Sequence, residues 1–140
     1  MTTNLKLLCV FAHPDDESLG NGGMLARYAA EGIETSLVVA TRGERGWSGN
    51  QEEYPGVEAF GRKREAEVLA AAQVLGLRQV LFLDYRDGEL DQADPVEVIA
   101  KIVGGIRPLA SADIHQRPPR ASLLVSPSIN IHRYPLLFAG

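Results

Sequence analysis

The sequence predicts an α/β fold built on a mainly parallel sheet. Three observations predict it. Short, continuously apolar runs recur at 5–12, 35–40 and 79–83, the pattern of strands buried on both faces. Helical stretches separate these runs, and strands alternating with helices of this length make βαβ units. Finally, the first run closes on His13-Pro14-Asp15-Asp16-Glu17. That places one imidazole and three carboxylates at a strand's C-terminal end, where open α/β sheets bind ligands.

Taken in order, Leu5–Ala12 is the first strand, too short for a helix and cut off by His-Pro. From Asp15 to Gly32 the apolar or small residues Leu19, Gly22, Met24, Leu25, Tyr28 and Ala29 define a helical face, with Gly32 as the stop. Thr35–Ala40 is the second strand. Arg42–Gly61 is rich in glycine, with Trp47 and Tyr54 among polar residues, and reads as a long loop of the kind tied to function. Arg62–Leu75 is the clearest helix, carrying Val68, Leu69, Ala72 and Leu75 on one face and ending at Gly76. Gln79–Leu83 is the third strand and Asp84–Leu90 the polar loop after it. Pro95–Ile106 is a further amphipathic helix, with Asp94 as its cap and Pro95 in its first turn. Beyond Pro108 the pattern fades, leaving one short strand at Leu123–Val125 and an apolar end.

Bulk properties narrow the function. A chain of 140 residues is one domain with room for a core. A net charge of −4 gives no basic footprint for nucleic acid or an anionic membrane. No run approaches the ~20 apolar residues that span a bilayer. The single cysteine, Cys9, sits in the first apolar run and has no internal disulfide partner. With no signal-peptide pattern at the N-terminus, the expected compartment is the reducing cytoplasm.

The chemistry lies in the strand-end cluster. His13 and Asp16 stand three apart where a strand gives way to a helical turn, so both side chains can converge on one point. An imidazole nitrogen and a carboxylate oxygen suit zinc in an open catalytic site. Asp15 points elsewhere and is free to act as general base on a water. The plainer reading makes His13 a satisfied strand-end residue and the acids partners of a helix N-terminus. So much charge at one strand end favours a site.

Gly20, Gly22 and Gly23 either let backbone approach a ligand or pack helix against strand. They do not form the dinucleotide fingerprint, which disfavours a nucleotide-binding module. Arg42, Glu44 and Arg45 follow the second strand at the same sheet edge, either ordering the mouth or solvated. Arg64 and Glu67 read as an i, i+3 pair, and Asp87 as a turn former. His115 and His132 lie in irregular sequence and read as surface residues.

AHPDDE at 12–17, the Gly-Gly after it, TRGE at 41–44, the Arg64–Glu67 helix, and LGL with FLDYRDGEL over 75–90 together resemble the PIG-L/LmbE family of zinc-dependent de-N-acetylases. The resemblance covers about residues 5–108, and 109–140 read as a divergent tail of the same single domain. It implies a Rossmann-like three-layer α/β/α sandwich, truncated or altered towards its C-terminus. It implies hydrolysis of the acetamide of a small N-acetylated amino sugar or glycoside by a zinc-activated water; another divalent metal would serve in zinc's place. His13 and Asp16 match metal ligands, Asp15 the general base, and Arg64 and Asp87 positions that contact the sugar.

Relatives carry a His-Pro-Asp-His segment further on, which supplies a third ligand and a histidine that assists the transition state. This sequence lacks it, which predicts a frame change or truncation after Pro108. A third ligand then comes from His115, His132 or another subunit, or is absent. Absence would leave an inactive remnant that binds metal or sugar weakly. An incomplete sheet with an exposed edge also predicts self-association as a homo-oligomer.

Overall fold

The computed structural model describes residues 5–110 and 121–125. Four strands, β1 (Lys6–Phe11), β2 (Glu34–Thr41), β3 (Gln79–Tyr85) and β4 (Ala121–Val125), form one sheet in the order β3-β2-β1-β4. Every pairing is parallel, with Lys6 opposite Glu34 and Ala121, and Ser36 opposite Gln79. Three helices connect them: α1 (Gly22–Ala30), α2 (Val57–Leu75) and α3 (Pro95–Ala110). The chain thus steps outward from β1 through β2 to β3. It then returns through α3 to β4 on the far side of β1, so the strand order reverses at β1.

β1 and β2 are buried on both faces and β3, at the sheet's edge, only in part; the period-two alternation of the strands divides the core. Leu7, Cys9 and Phe11 meet Leu25 of α1 and Val68 of α2, together with Leu37 and Val39. Leu8 and Val10 face the other way, joining Val38, Ala40 and Leu83, with Ile102 of α3 packed against them. Helices on both faces of a parallel sheet make the three-layer α/β/α sandwich that was expected.

Burial also sets Cys9 apart chemically. It is wholly enclosed, and the loss of solvent pushes its thiol up to about 12, so it stays protonated and unreactive.

Element existence agrees with the sequence, whereas two helix starts do not. The predicted helix from Asp15 begins only at Gly22. Residues 15–21 wind as turns instead, because Asp15 adopts φ 103° and Gly20 φ 88°, neither of which continues a right-handed helix. Conversely, α2 begins at Val57, five residues before the predicted Arg62. Gly56 at φ 93° turns the chain in, and Phe60 then anchors the first turns in the core. The long loop therefore ends at Gly56. α3 runs to Ala110, past the predicted Ile106. The short strand expected near Leu123 is β4.

No helix among the described residues is long and apolar enough to cross a membrane. His115 and His132, two candidates for a third metal ligand, lie outside the described residues.

Candidate active site

The carboxyl ends of β1, β2 and β3 open on one edge, and hydrogen bonds stitch them together. Thr41 at the end of β2 donates to Ala12 O through both its backbone N–H and its hydroxyl, each at 3.0 Å. The same hydroxyl accepts from Gly43 N–H at 3.1 Å. His13 therefore leaves the sheet beside the start of the β2 loop, at the point where the strand order reverses. In doubly wound folds that is where ligands bind.

His13 stands between two carboxylates. Its Nε2 lies 3.1 Å from Asp87 Oδ1, and its Nδ1 lies 4.0 Å from Asp16 Oδ2. Asp16 Oδ2 also accepts from His13 N–H at 3.2 Å, folding the residue back over the strand end. Asp87, only 9% exposed, is fixed from three sides. Its Oδ2 accepts from Arg45 N–H at 3.1 Å, its own N–H donates to Glu44 Oε1 at 2.9 Å, and Oδ1 meets His13.

Asp15 diverges from Asp16. Its carboxylate, about half exposed, pairs with Arg64 Nη2 at 3.1 Å. The same nitrogen donates to Pro14 O at 2.7 Å, while Nη1 pairs with Glu67 at 2.6 Å. Arg64 reaches this position because α2 passes over the mouth. Gly43 lets the loop after β2 pass close against Pro14: a Cβ there would lie 3.1 Å from Pro14 Cδ.

All five residues singled out in the sequence, His13, Asp15, Asp16, Arg64 and Asp87, thus gather at one mouth. Three features were not legible beforehand. Asp87 is turned into the protein against His13. Glu17, grouped above with the acids of a helix start, is 3% exposed. Trp47, Tyr54 and Phe60 form a small aromatic cluster with centroids 5.3–6.3 Å apart, and Tyr54 donates to Glu44 O at 3.2 Å. The cluster braces the loop that carries Glu44 and Arg45. An aromatic-rich loop was the only signal for it.

The donor set can be tested against a metal ion. Two ligands of a tetrahedral zinc stand about 3.4 Å apart for bonds of ~2.1 Å. The His13–Asp16 pair at 4.0 Å fits two corners after a small closure. Asp87 does not extend the set, since it meets the opposite ring nitrogen. Accordingly, no group of three or more His, Cys, Asp or Glu converges on one point among the described residues. Asp87 has instead the place of a carboxylate partner, which in metal sites holds the far nitrogen of a ligating imidazole.

Parallel strands covered on both faces, with a polar site where their order reverses, define a Rossmann-like α/β domain. Within that class the chain belongs to the PIG-L family, described as GlcNAc-PI de-N-acetylases, whose model matches residues 8–118. That match extends ten residues past the point where the motif resemblance stops.

A 1D-myo-inositol 2-acetamido-2-deoxy-alpha-D-glucopyranoside deacetylase of Streptomyces avermitilis is 42% identical over 95 residues, covering 59% of this chain and 31% of the relative. The N,N'-diacetylchitobiose deacetylase of Pyrococcus horikoshii superposes with a TM-score of 0.64 at 28% identity, over 75% of this chain and 38% of that one. GalB of Pseudomonas putida KT2440, a 4-carboxy-2-hydroxymuconate hydratase, also scores 0.64 at 26% identity, over 75% and 43%. The chain spans about a third of the length of the first of these relatives.

Proposed function

We propose that this chain carries the general base and first metal ligands of a de-N-acetylase acting on an N-acetylglucosamine-type amino sugar. One observation carries the reading: Asp15 stands at the mouth beside the His13–Asp16 pair, at the reversal point of a PIG-L sheet. The deacetylase names of the relatives support the substrate class.

His13 Nδ1 and Asp16 Oδ2 would hold a divalent ion, zinc by preference, which when bound supplies Lewis-acid activation of a water and of the acetamide carbonyl. Asp15 accepts the proton as the water oxygen attacks the carbonyl carbon. It returns that proton to the amine as the C–N bond breaks, leaving acetate and a free amino sugar. Arg64 holds the Asp15 carboxylate towards the mouth and faces the sugar hydroxyls there. Asp87, 9% exposed and engaged by His13 on one oxygen and Arg45 N–H on the other, keeps the His13 ring in register instead.

The test measures metal content and acetate release on the same samples of the full chain and two variants. Asp15→Asn keeps the shape but not the base, so turnover should fall about 10²–10⁴-fold with metal content unchanged. Asp16→Ala should lose the metal as well. Full turnover in Asp15→Asn would refute the assignment. Two other readings meet the same assay. Metal uptake without acetate release would favour an inactive relative whose donor set stops at two residues. Hydration of an unsaturated acid without acetate would favour GalB-like chemistry.

A further inference from the structure

Asp15 is one of two non-glycine residues with positive φ among those described, and its 103° lies well beyond the small left-handed region open to side-chain-bearing residues. Such a conformation costs about 1–3 kcal/mol and persists only where the surroundings hold it. The main holder is unexpected. Glu17 is 3% exposed, and a buried carboxylate is tolerated only when its oxygens find donors. Glu17 Oε2 accepts from Asp15 N–H at 3.0 Å, and Oε1 accepts from Ser18 Oγ–H at 3.0 Å. On the other side of the same residue, Asp15 O accepts from Ser18 N–H at 2.9 Å and Leu19 N–H at 2.8 Å.

We infer that Glu17 is a positioning residue: its buried carboxylate pins the Asp15 backbone in this conformation and so aims the Asp15 side chain at the mouth. The geometry explains why two neighbouring aspartates do different things. With φ reversed at Asp15, Asp16 folds back onto His13 N–H, whereas Asp15 swings out to Arg64. A relaxed Asp15 would carry its carboxylate off this line. The kinetic consequence rests on Asp15 acting as the general base proposed above; the clamp itself does not.

The test compares Glu17→Met, which removes the acceptor, with Glu17→Gln, which keeps one carbonyl oxygen for Asp15 N–H. Amide hydrogen exchange at Asp15 reads the clamp directly, and kcat against KM reads its use. In Glu17→Met, exchange at Asp15 should rise about tenfold relative to the amides of β1. Its kcat should fall about 10²-fold with KM unchanged, the cost of a catalytic group misplaced by about an ångström. Glu17→Gln should stay within about threefold of wild type in both, because its amide oxygen can still accept the Asp15 bond.

Unchanged Asp15 exchange or unchanged kcat in a folded Glu17→Met overturns the inference. So does equal damage in Glu17→Gln, or a rise in exchange that β1 shares. Should Glu17→Met fail to fold, a tenfold loss in Glu17→Gln decides against the inference and its rescue decides for it. A wild type without turnover overturns the deacetylase reading, while the exchange data still decide the clamp.

Discussion

Replacing Asp87 by Asn should cost the site its metal through a change of tautomer, with little change of shape. At 3.1 Å, Asp87 Oδ1 is placed to accept from His13 Nε2, and a proton held there leaves Nδ1 with its lone pair turned to the Asp16 side. Asp87 Oδ2 is meanwhile taken by Arg45 N–H. An asparagine has one carbonyl oxygen for these two donors. The backbone N–H cannot move its proton, whereas the imidazole can. The amide oxygen therefore turns to Arg45 and the NH₂ to His13 Nε2, which becomes the acceptor. The proton then sits on Nδ1, the nitrogen that should bind the ion.

Loss of such a carboxylate partner typically weakens metal affinity about 10–100-fold. Each tenfold is ~1.4 kcal/mol, so about 1.4–2.8 kcal/mol of binding should vanish. Competition with a chromophoric chelator measures the zinc affinity, and ¹⁵N shifts of the His13 ring report the tautomer. If Asp87→Asn binds zinc as wild type does while His13→Ala does not, or if Nε2 keeps its proton, the orienting role of Asp87 is refuted.

Two further outcomes follow from the backbone and the core. Gly43 sits at φ 62° with Pro14 Cδ 3.1 Å from where a Cβ would stand, so Gly43→Ala combines left-handed strain with a close contact. It should lose about 1–2 kcal/mol in urea unfolding, and an unshifted midpoint would refute the close fit. Cys9 should titrate between its ordinary 9.0 in the unfolded chain and about 12 in the fold. Its folded value is raised, so its contribution is complete below pH 9 and drains as pH rises towards 12. At pH 10 the loss is on the order of 1 kcal/mol, which should appear as a steeper fall in stability from pH 8 to 10 for wild type than for Cys9→Ala. Parallel pH profiles would show that the thiol is not desolvated.

The fold was legible in the sequence where burial was uniform and illegible where the backbone reversed. The apolar runs ending at Ala12 and Ala40 announced their strands because a central parallel strand needs apolar residues on both faces. The run ending at Leu83 announced β3 although it lies at the sheet's edge and is only partly buried. The helix expected from Asp15 was misplaced because Leu19, Gly22 and Leu25 keep a helical spacing that conceals the left-handed Asp15 and Gly20 between strand and helix. Leu19 is in fact 73% exposed, so its place in the pattern was coincidental. For α2 the error ran the other way. A glycine- and aromatic-rich tract looks like loop until Phe60 is seen to be buried, and no local signal separates an exposed phenylalanine from an anchoring one.

The candidate site divides by the same logic of distance along the chain. His13, Asp15 and Asp16 were visible because one strand end presents them within four residues, so their chemistry is written locally. The partners that give each its direction come from elsewhere: Asp87 follows β3, and Arg64 rides on α2. Strand register and helix placement, which no local pattern encodes, bring them within hydrogen-bond distance. Glu17 is the intermediate case. It is adjacent in sequence, yet its role depends on whether its carboxylate is solvated or enclosed, and a charged residue beside two aspartates gives no sign of being buried. Only the positive φ of Asp15, with Glu17 beneath it, separates the acid aimed at the mouth from the acid that aims it.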